Sequence, residues 1–156
     1  MPGYESIEDF KGGTCIILRL SPSDYHRFCY FDNGELISNN YIEGSLHSVQ
    51  PTACISTPVY ILNRRLWSHI KSESFGDVLQ IEVGAMLVGG INIYKSSGKI
   101  LRGEEMGRFE LNGSTIVMLF KKDTVTLSPA LAAAKNGECE IQVKIGDTIG
   151  HGYNKP

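Results

Sequence analysis

Apolar residues along the chain come in short, β-branched runs separated by glycines and polar turns. They are Cys15 to Leu18, Val78 to Val83, Ile91 to Tyr94, Thr115 to Phe120 and Glu140 to Ile145. Runs of this length bounded by turn formers predict strands, and their regular spacing predicts an all-β sandwich or barrel. Asp32-Asn33-Gly34 and Ser97-Gly98 read as hairpin turns. Helix is scarce. Leu62, Leu66 and Ile70 allow a helical turn or two around 61–67, and the alanine-rich stretch Ser128 to Lys135 has Pro129 where a first helical position accepts it. Both could equally be a loop or a strand edge.

Composition sharpens the picture in a few places. Glycine is the loudest residue, 17 of 156, against a usual share of about 7%. With 42% hydrophobic and 21% charged residues the chain is an ordinary globular one, of a length that fits one domain. A net charge of −2 excludes a nucleic-acid platform built on bulk positive charge. No apolar run approaches the ~20 residues of a membrane span, and Met1 to Lys11 lacks the apolar core of a signal peptide. Cys15, Cys29, Cys54 and Cys139 are scattered without a CxxC, which predicts reduced thiols in a cytosol rather than a disulfide framework or a zinc site.

Common catalytic motifs are absent. Gly84 and Gly89 are not followed by Lys-Ser or Lys-Thr, so they form no phosphate loop. The chain has no GxGxxG after a strand and no GxSxG. His26, His47, His69 and His151 lie far apart, with no HExxH. Neither Lys95 nor Lys144 has the setting of a biotin or lipoyl carrier. A faint internal echo, Val83 to Gly89 against Ile145 to Gly150, fits simple turn geometry.

Two segments are denser in chemistry. Leu20 to Cys29 packs an acid, a phenol, an imidazole, a guanidinium and a thiol behind a strand, as Asp24, Tyr25, His26, Arg27 and Cys29. Arg102 to Thr115 ends in Gly113-Ser114-Thr115 at the mouth of a buried-looking strand. A polar loop and a tight turn are the plain readings of the two.

Together these segments resemble the phosphatidylserine decarboxylase family, in that family's motif order. Tyr4 to Phe10 is similar to its short acidic stretch ahead of the core. Arg19 to Arg27 matches its Asp-Tyr-His-Arg motif. Gly44 to Pro51 is similar to Gly-x-Leu-x-Ser-Val-Asn-Pro, with Gln50 for Asn. Leu62 to Arg65 resembles its Asn-Glu-Arg stretch, with Arg64 for Glu. Val83-Gly84-Ala85 and Val88-Gly89 match Val-Gly-Ala-x-x-Val-Gly, and Gly103 to Thr115 matches its Gly-x-Glu-x-Gly-x-Phe and Gly-Ser-Thr block, with Arg102 for the preceding Lys.

The resemblance implies a barrel-sandwich fold like that of lipoyl and biotinyl domains, and a particular chemistry. Decarboxylating an amino acid needs an electron sink, normally a carbonyl that condenses with the substrate amine. The family makes its own. A serine attacks the preceding carbonyl, the resulting ester eliminates, and the dehydroalanine left behind hydrolyses to a pyruvoyl group. Here the cut falls between Gly113 and Ser114, and the pyruvoyl derives from Ser114. His26 is implied in decarboxylation. Tyr25, Val83, Gly84, Ala85, Val88 and Gly89 are implied at the substrate. Cys29 stands where the family's second histidine acts as processing base, and a free thiol is ordinarily the poorer base. The family's upstream Ser-Pro-x-Asp-Gly segment has no counterpart, so residues 1–156 read as the catalytic core without the family's N-terminal region.

The resemblance further implies a phospholipid substrate, no metal, cleaved chains that stay associated, and membrane contact through that N-terminal region. It places the protein in the cytoplasm or at the inner face of the membrane and allows a homodimer. Two other readings stay open: a decarboxylase of a free amino acid, and an uncleaved, inactive family member.

Overall fold

Strand propensity and alternation dominate what forms. The computed structural model describes residues 7–48, 59–85, 90–110, 114–134 and 140–153. Its strands are β1 (Thr14–Leu20), β2 (Arg27–Cys29), β3 (Gly34–Ile42), β4 (Arg65–Ser72), β5 (Gly76–Val83), β6 (Ile91–Ile93), β7 (Gly98–Ile100), β8 (Glu105–Phe109), β9 (Ser114–Phe120), β10 (Val125–Leu127) and β11 (Gly150–Gly152). One short helix, α1 (Pro129–Ala133), and two 3-10 turns (Ile7–Phe10 and Val59–Leu62) complete the described elements. The protein is an all-β sandwich with few short helices.

The large sheet has the order β1-β9-β5-β4-β3-β7 and the small one β2-β8-β6; β10 and β11 form a separate ribbon. Pairing within all three is antiparallel. Alternate side chains divide the two faces of the large sheet. Val78 of β5 and Ile116, Met118 and Phe120 of β9 pack against Phe28, Tyr30, Met106 and Phe109 of the small-sheet side. Trp67, Leu79, Ile81 and Val83 point the other way, onto Phe10, Ile42, Val117 and Leu119.

Three local expectations change. Residues 140–145 form no strand, and Ile141, Val143 and Ile145 are exposed. Their alternating pattern lacks a neighbouring strand to supply a ladder, and propensity alone does not hold a strand in water. Asn33-Gly34 and Ser97-Gly98 are turns but not hairpins. β2 pairs with β8 while β3 pairs with β4 and β7, and β6 pairs with β8 while β7 pairs with β3. Each turn therefore crosses from one sheet to the other. Around 61–67, the 3-10 turn gives way to β4, in which Leu66 and Ile70 are alternate strand positions rather than a helical stripe.

Of the alternatives open near residue 130, the helix is the one that forms. Pro129 opens it and the Ser128 Oγ accepts from the Leu131 N–H. The hairpin joining β4 and β5 carries no Asn-Gly signal. It closes between Ser72 and Gly76, with Gly76 at φ +71°. Asp32 braces it from outside, accepting from Ser72 Oγ at 2.5 Å and from the Ser74 N–H at 2.8 Å.

Candidate active site

Four chain segments converge at one end of the sandwich. β9 starts there with Ser114, opposite Leu20, the last residue of β1. On its other side Thr115 pairs with Val83, the last residue of β5, and Gly84 and Ala85 continue from it. β8 ends there with Phe109, whose N–H donates to the His26 carbonyl at 2.9 Å. The loop 21–26 therefore leaves the sheet beside Ser114 and returns beside the end of β8.

Ser114 is fully buried, and its Oγ has no hydrogen-bond partner among the described residues. A buried hydroxyl is ordinarily satisfied, and leaving it unmade costs about 1–3 kcal/mol. Such an unsatisfied buried group is a place to look for a functional role. Thr115 beside it is also buried, and it pairs with Arg19 on one side and Val83 on the other.

The loop 21–26 is built around Asp24. Its Oδ2 accepts from the Ser21 N–H at 2.7 Å, its own N–H donates to the Ser21 carbonyl, and its carbonyl lies 2.6 Å from His26 Nδ1. The Ser21 contacts hold the Asp24 carboxyl below its ordinary range. The contact to His26 fixes the imidazole's orientation at the lip of the site. Tyr25 is largely exposed. Arg19, opposite Thr115, makes a two-pronged contact with Glu140, Nε to Oε1 at 2.6 Å and Nη2 to Oε2 at 2.5 Å. That bond ties the irregular 140–148 segment to the same end of the sandwich.

Cys29 is half-buried and sits opposite Glu105, at the end of the β2–β8 pair away from Phe109. A register shift between Phe28 and Cys29 re-aims the thiol relative to strict alternation. Of the other expected site residues, Val83, Gly84 and Ala85 are buried beside Ser114, whereas Val88, Gly89 and Gly113 lie outside the described residues.

Two buried residues in this region are not among the residues expected at the site, although Asn63 stands in the Leu62–Arg65 motif stretch. Asn63 binds three backbone groups: it accepts from the His47 N–H and donates to the carbonyls of His47 and Gly84, all at 2.8 Å. It thereby pins the end of β5 to the segment around His47. Glu82 is fully buried inside β5, and the sign that could have found it is an acid within an otherwise apolar run. A groove of about 460 Å³ lined by Gly34, Glu35, Lys71, Ser72, Glu73 and Lys99 lies at the opposite end of the strands and belongs to none of this.

An all-β sandwich with an orphaned, buried serine opening an interior strand is the class that fold and site define. Comparison with known proteins makes it specific. The family model described as phosphatidylserine decarboxylase matches residues 1–151. Proteins named phosphatidylserine decarboxylase proenzyme from Clostridium perfringens (strain SM101 / Type A) and Clostridium tetani (strain Massachusetts / E88) are each 41% identical to it over 92% of this chain, and the matches cover 50% and 49% of those proteins. A third, from Clostridium botulinum (strain Alaska E43 / Type E3), is also 41% identical. The chain belongs to the phosphatidylserine decarboxylase family. It spans about half the length of the curated relatives it matches.

Proposed function

We propose that the protein is a pyruvoyl-dependent carboxy-lyase that converts phosphatidylserine to phosphatidylethanolamine, with its pyruvoyl group formed from Ser114 by self-cleavage after Gly113. The observation that carries this is the buried, unpartnered Ser114 hydroxyl, standing where the family's Gly-Ser-Thr block aligns. Its relatives bear the name proenzyme, which fits a chain that must be cut to act.

The residues present fit the group. Ser114 opens a strand hydrogen-bonded on both sides, to β1 and to β5, so a cut before it leaves the new terminus held and the two pieces together. When formed, the group supplies the electron sink that an amino-acid carbanion needs. His26, oriented by the Asp24 carbonyl, delivers a proton to the substrate carbon or holds the carboxylate. Val83, Gly84 and Ala85 wall the site, Val88 and Gly89 of the same motif serve the substrate with them, and Tyr25 stands at its open side. Cys29 is the base that supports self-cleavage. The lipid enters from a membrane surface on the cytoplasmic side, and contact with that surface rests on sequence that the relatives carry in their other half. Among the described residues no helix is long and apolar enough to cross a membrane.

Borohydride trapping tests the reading. Treatment in the presence of phosphatidylserine should add mass to the piece beginning at residue 114 and abolish activity. Free serine or tryptophan should give no such adduct, because glycerophosphate and tails supply much of the binding energy. Turnover of a free amino acid without response to lipid would replace the substrate assignment. A chain that never cleaves is the inactive family member.

A further inference from the structure

Self-cleavage removes protons at two different atoms, Oγ of Ser114 in the first step and Cα in the second. The reading above names one base, Cys29. We propose that Glu82 is the second base, and that it takes the Oγ proton when Ser114 attacks the carbonyl of Gly113. This rests on self-cleavage at Ser114 as read above.

The register places the two residues. Thr115 pairs with Val83 and Ile116 with Glu82. Ser114 and Glu82 are thus diagonal neighbours on adjacent strands. Both belong to the alternate set whose other members, Val78, Ile116, Met118 and Phe120, fill the space between the two sheets. Diagonal neighbours on one face lie roughly 7–8 Å apart, within reach of a long side chain.

Glu82 also has a lone pair to use. It is fully buried; its Oε1 accepts from Gln80 Nε2 at 2.8 Å, while Oε2 has no partner among the described residues. Two orphaned oxygens, Glu82 Oε2 and Ser114 Oγ, therefore face the same interior. Tyr30, just past β2, is the titratable side chain that feels the charge of Glu82, and its hydroxyl is likewise buried and unpartnered among the described residues. Glu104 acts on Tyr30 in turn. The register neighbours Leu66 and Ile116, and Met106, which accepts from Gln80, bring no charge. Burial pushes the Glu82 carboxyl up to about 7, against the pull of the Gln80 contact. That range suits a group that accepts and returns a proton near neutral pH.

The step balances on these atoms alone. The Ser114 Oγ–H bond breaks as Oγ bonds to the carbonyl carbon of Gly113, and Glu82 takes the proton. The tetrahedral adduct then collapses, the bond from that carbon to the Ser114 nitrogen breaks, and Glu82 returns the proton to the nitrogen. The product is an ester with a free amine at Ser114, and Glu82 ends as it began. Elimination follows. Cys29 takes the Cα proton, the Cβ–Oγ bond breaks and Gly113 leaves as a carboxylate.

Hydroxylamine, which cuts esters but not amides, separates the two steps. Glu82→Gln should stay whole and resist hydroxylamine, with ester formation slowed by about 10²-fold or more. Cys29→Ala should also stay whole but be cut by hydroxylamine after Gly113. Intact mass reads both, and a cooperative melting transition shows that each variant is folded. Ester formation in Glu82→Gln at the wild-type rate overturns the proposal while leaving self-cleavage standing. Wild-type chain that neither cleaves nor yields to hydroxylamine overturns both. Should Glu82→Gln fail to fold, the wild-type rate of ester formation decides. It should rise with pH and level off above about 7, and a flat rate across that range overturns the assignment.

Discussion

Leu20 faces Ser114 across the β1–β9 ladder, so Ser114 is the first residue of an interior strand. A glycine ahead of such a serine gives the attacking oxygen close access and tolerates a strained peptide. The chain should therefore separate on a denaturing gel into pieces 1–113 and 114–156, which stay together under native conditions because β9 is hydrogen-bonded on both edges. Ser114→Ala should remain whole, since no hydroxyl is left to attack. A wild-type chain that keeps one mass on long incubation, with the rest of a relative's chain supplied, would sink the enzymatic reading.

His26 and Cys29 should separate by phenotype. His26 is oriented by the Asp24 carbonyl beside the end of β8, while Cys29 lies at the other end of the β2–β8 pair. His26→Ala should cleave nearly normally yet lose roughly 10²–10⁴ in decarboxylation. Cys29→His should cleave faster than wild type, and Cys29→Ala should stay uncleaved. Cleavage gels and product assays on the same preparations check this. An exchange of the two phenotypes would show that their roles are reversed.

What the sequence reveals tracks the range of the interaction. β1, β5, β6 and β9 are legible because each is a short β-branched run whose signal lies within the segment itself. Helix α1 is legible because Ser128 and Pro129 carry its capping chemistry locally. The failed strand at 140–145 alternates as regularly as a strand should but has no partner among the described residues, and partnership is not written in the segment. Asn33-Gly34 has hairpin chemistry, yet whether the chain folds back or crosses to another sheet depends on what β2 and β3 pair with elsewhere. The site divides in the same way. Ser114, His26 and Cys29 stand in linear motifs and can be found by resemblance. Asn63 stands in the Leu62–Arg65 stretch, but its role, like that of Glu82, shows only in register and burial.

Asn63 makes a direct stability prediction. Its side chain satisfies the N–H and C=O of His47 and the carbonyl of Gly84, with no solvent exposure of its own. Asn63→Ala leaves all three to find other partners and should cost about 2–4 kcal/mol. Asn63→Asp keeps an acceptor for the His47 N–H but faces two carbonyls with a carboxylate. It should be no better than alanine at neutral pH. Denaturant midpoints of variants on the Ser114→Ala background, where cleavage cannot confuse the measurement, check both. Near-wild-type stability for Asn63→Asp would mean that the amide donates nothing of consequence to Gly84.

Glu82 predicts the opposite sign. A carboxyl whose pKa is raised on folding, here from an ordinary carboxylate to about 7, is no burden while protonated in both states. As pH rises past its unfolded value, the unfolded chain releases the proton first, and stability falls until the folded form also ionises near 7. Above that, the loss is complete. Glu82→Gln keeps the shape and cannot ionise, so on the Ser114→Ala background it should melt near its parent at pH 4. By pH 8 it should melt several degrees higher. A gap between the two that does not widen from pH 4 to pH 8 would show that Glu82 is not the buried, proton-holding group its surroundings indicate. A gap that widens, in a variant that no longer forms the ester, would show a residue kept for its chemistry at the expense of stability.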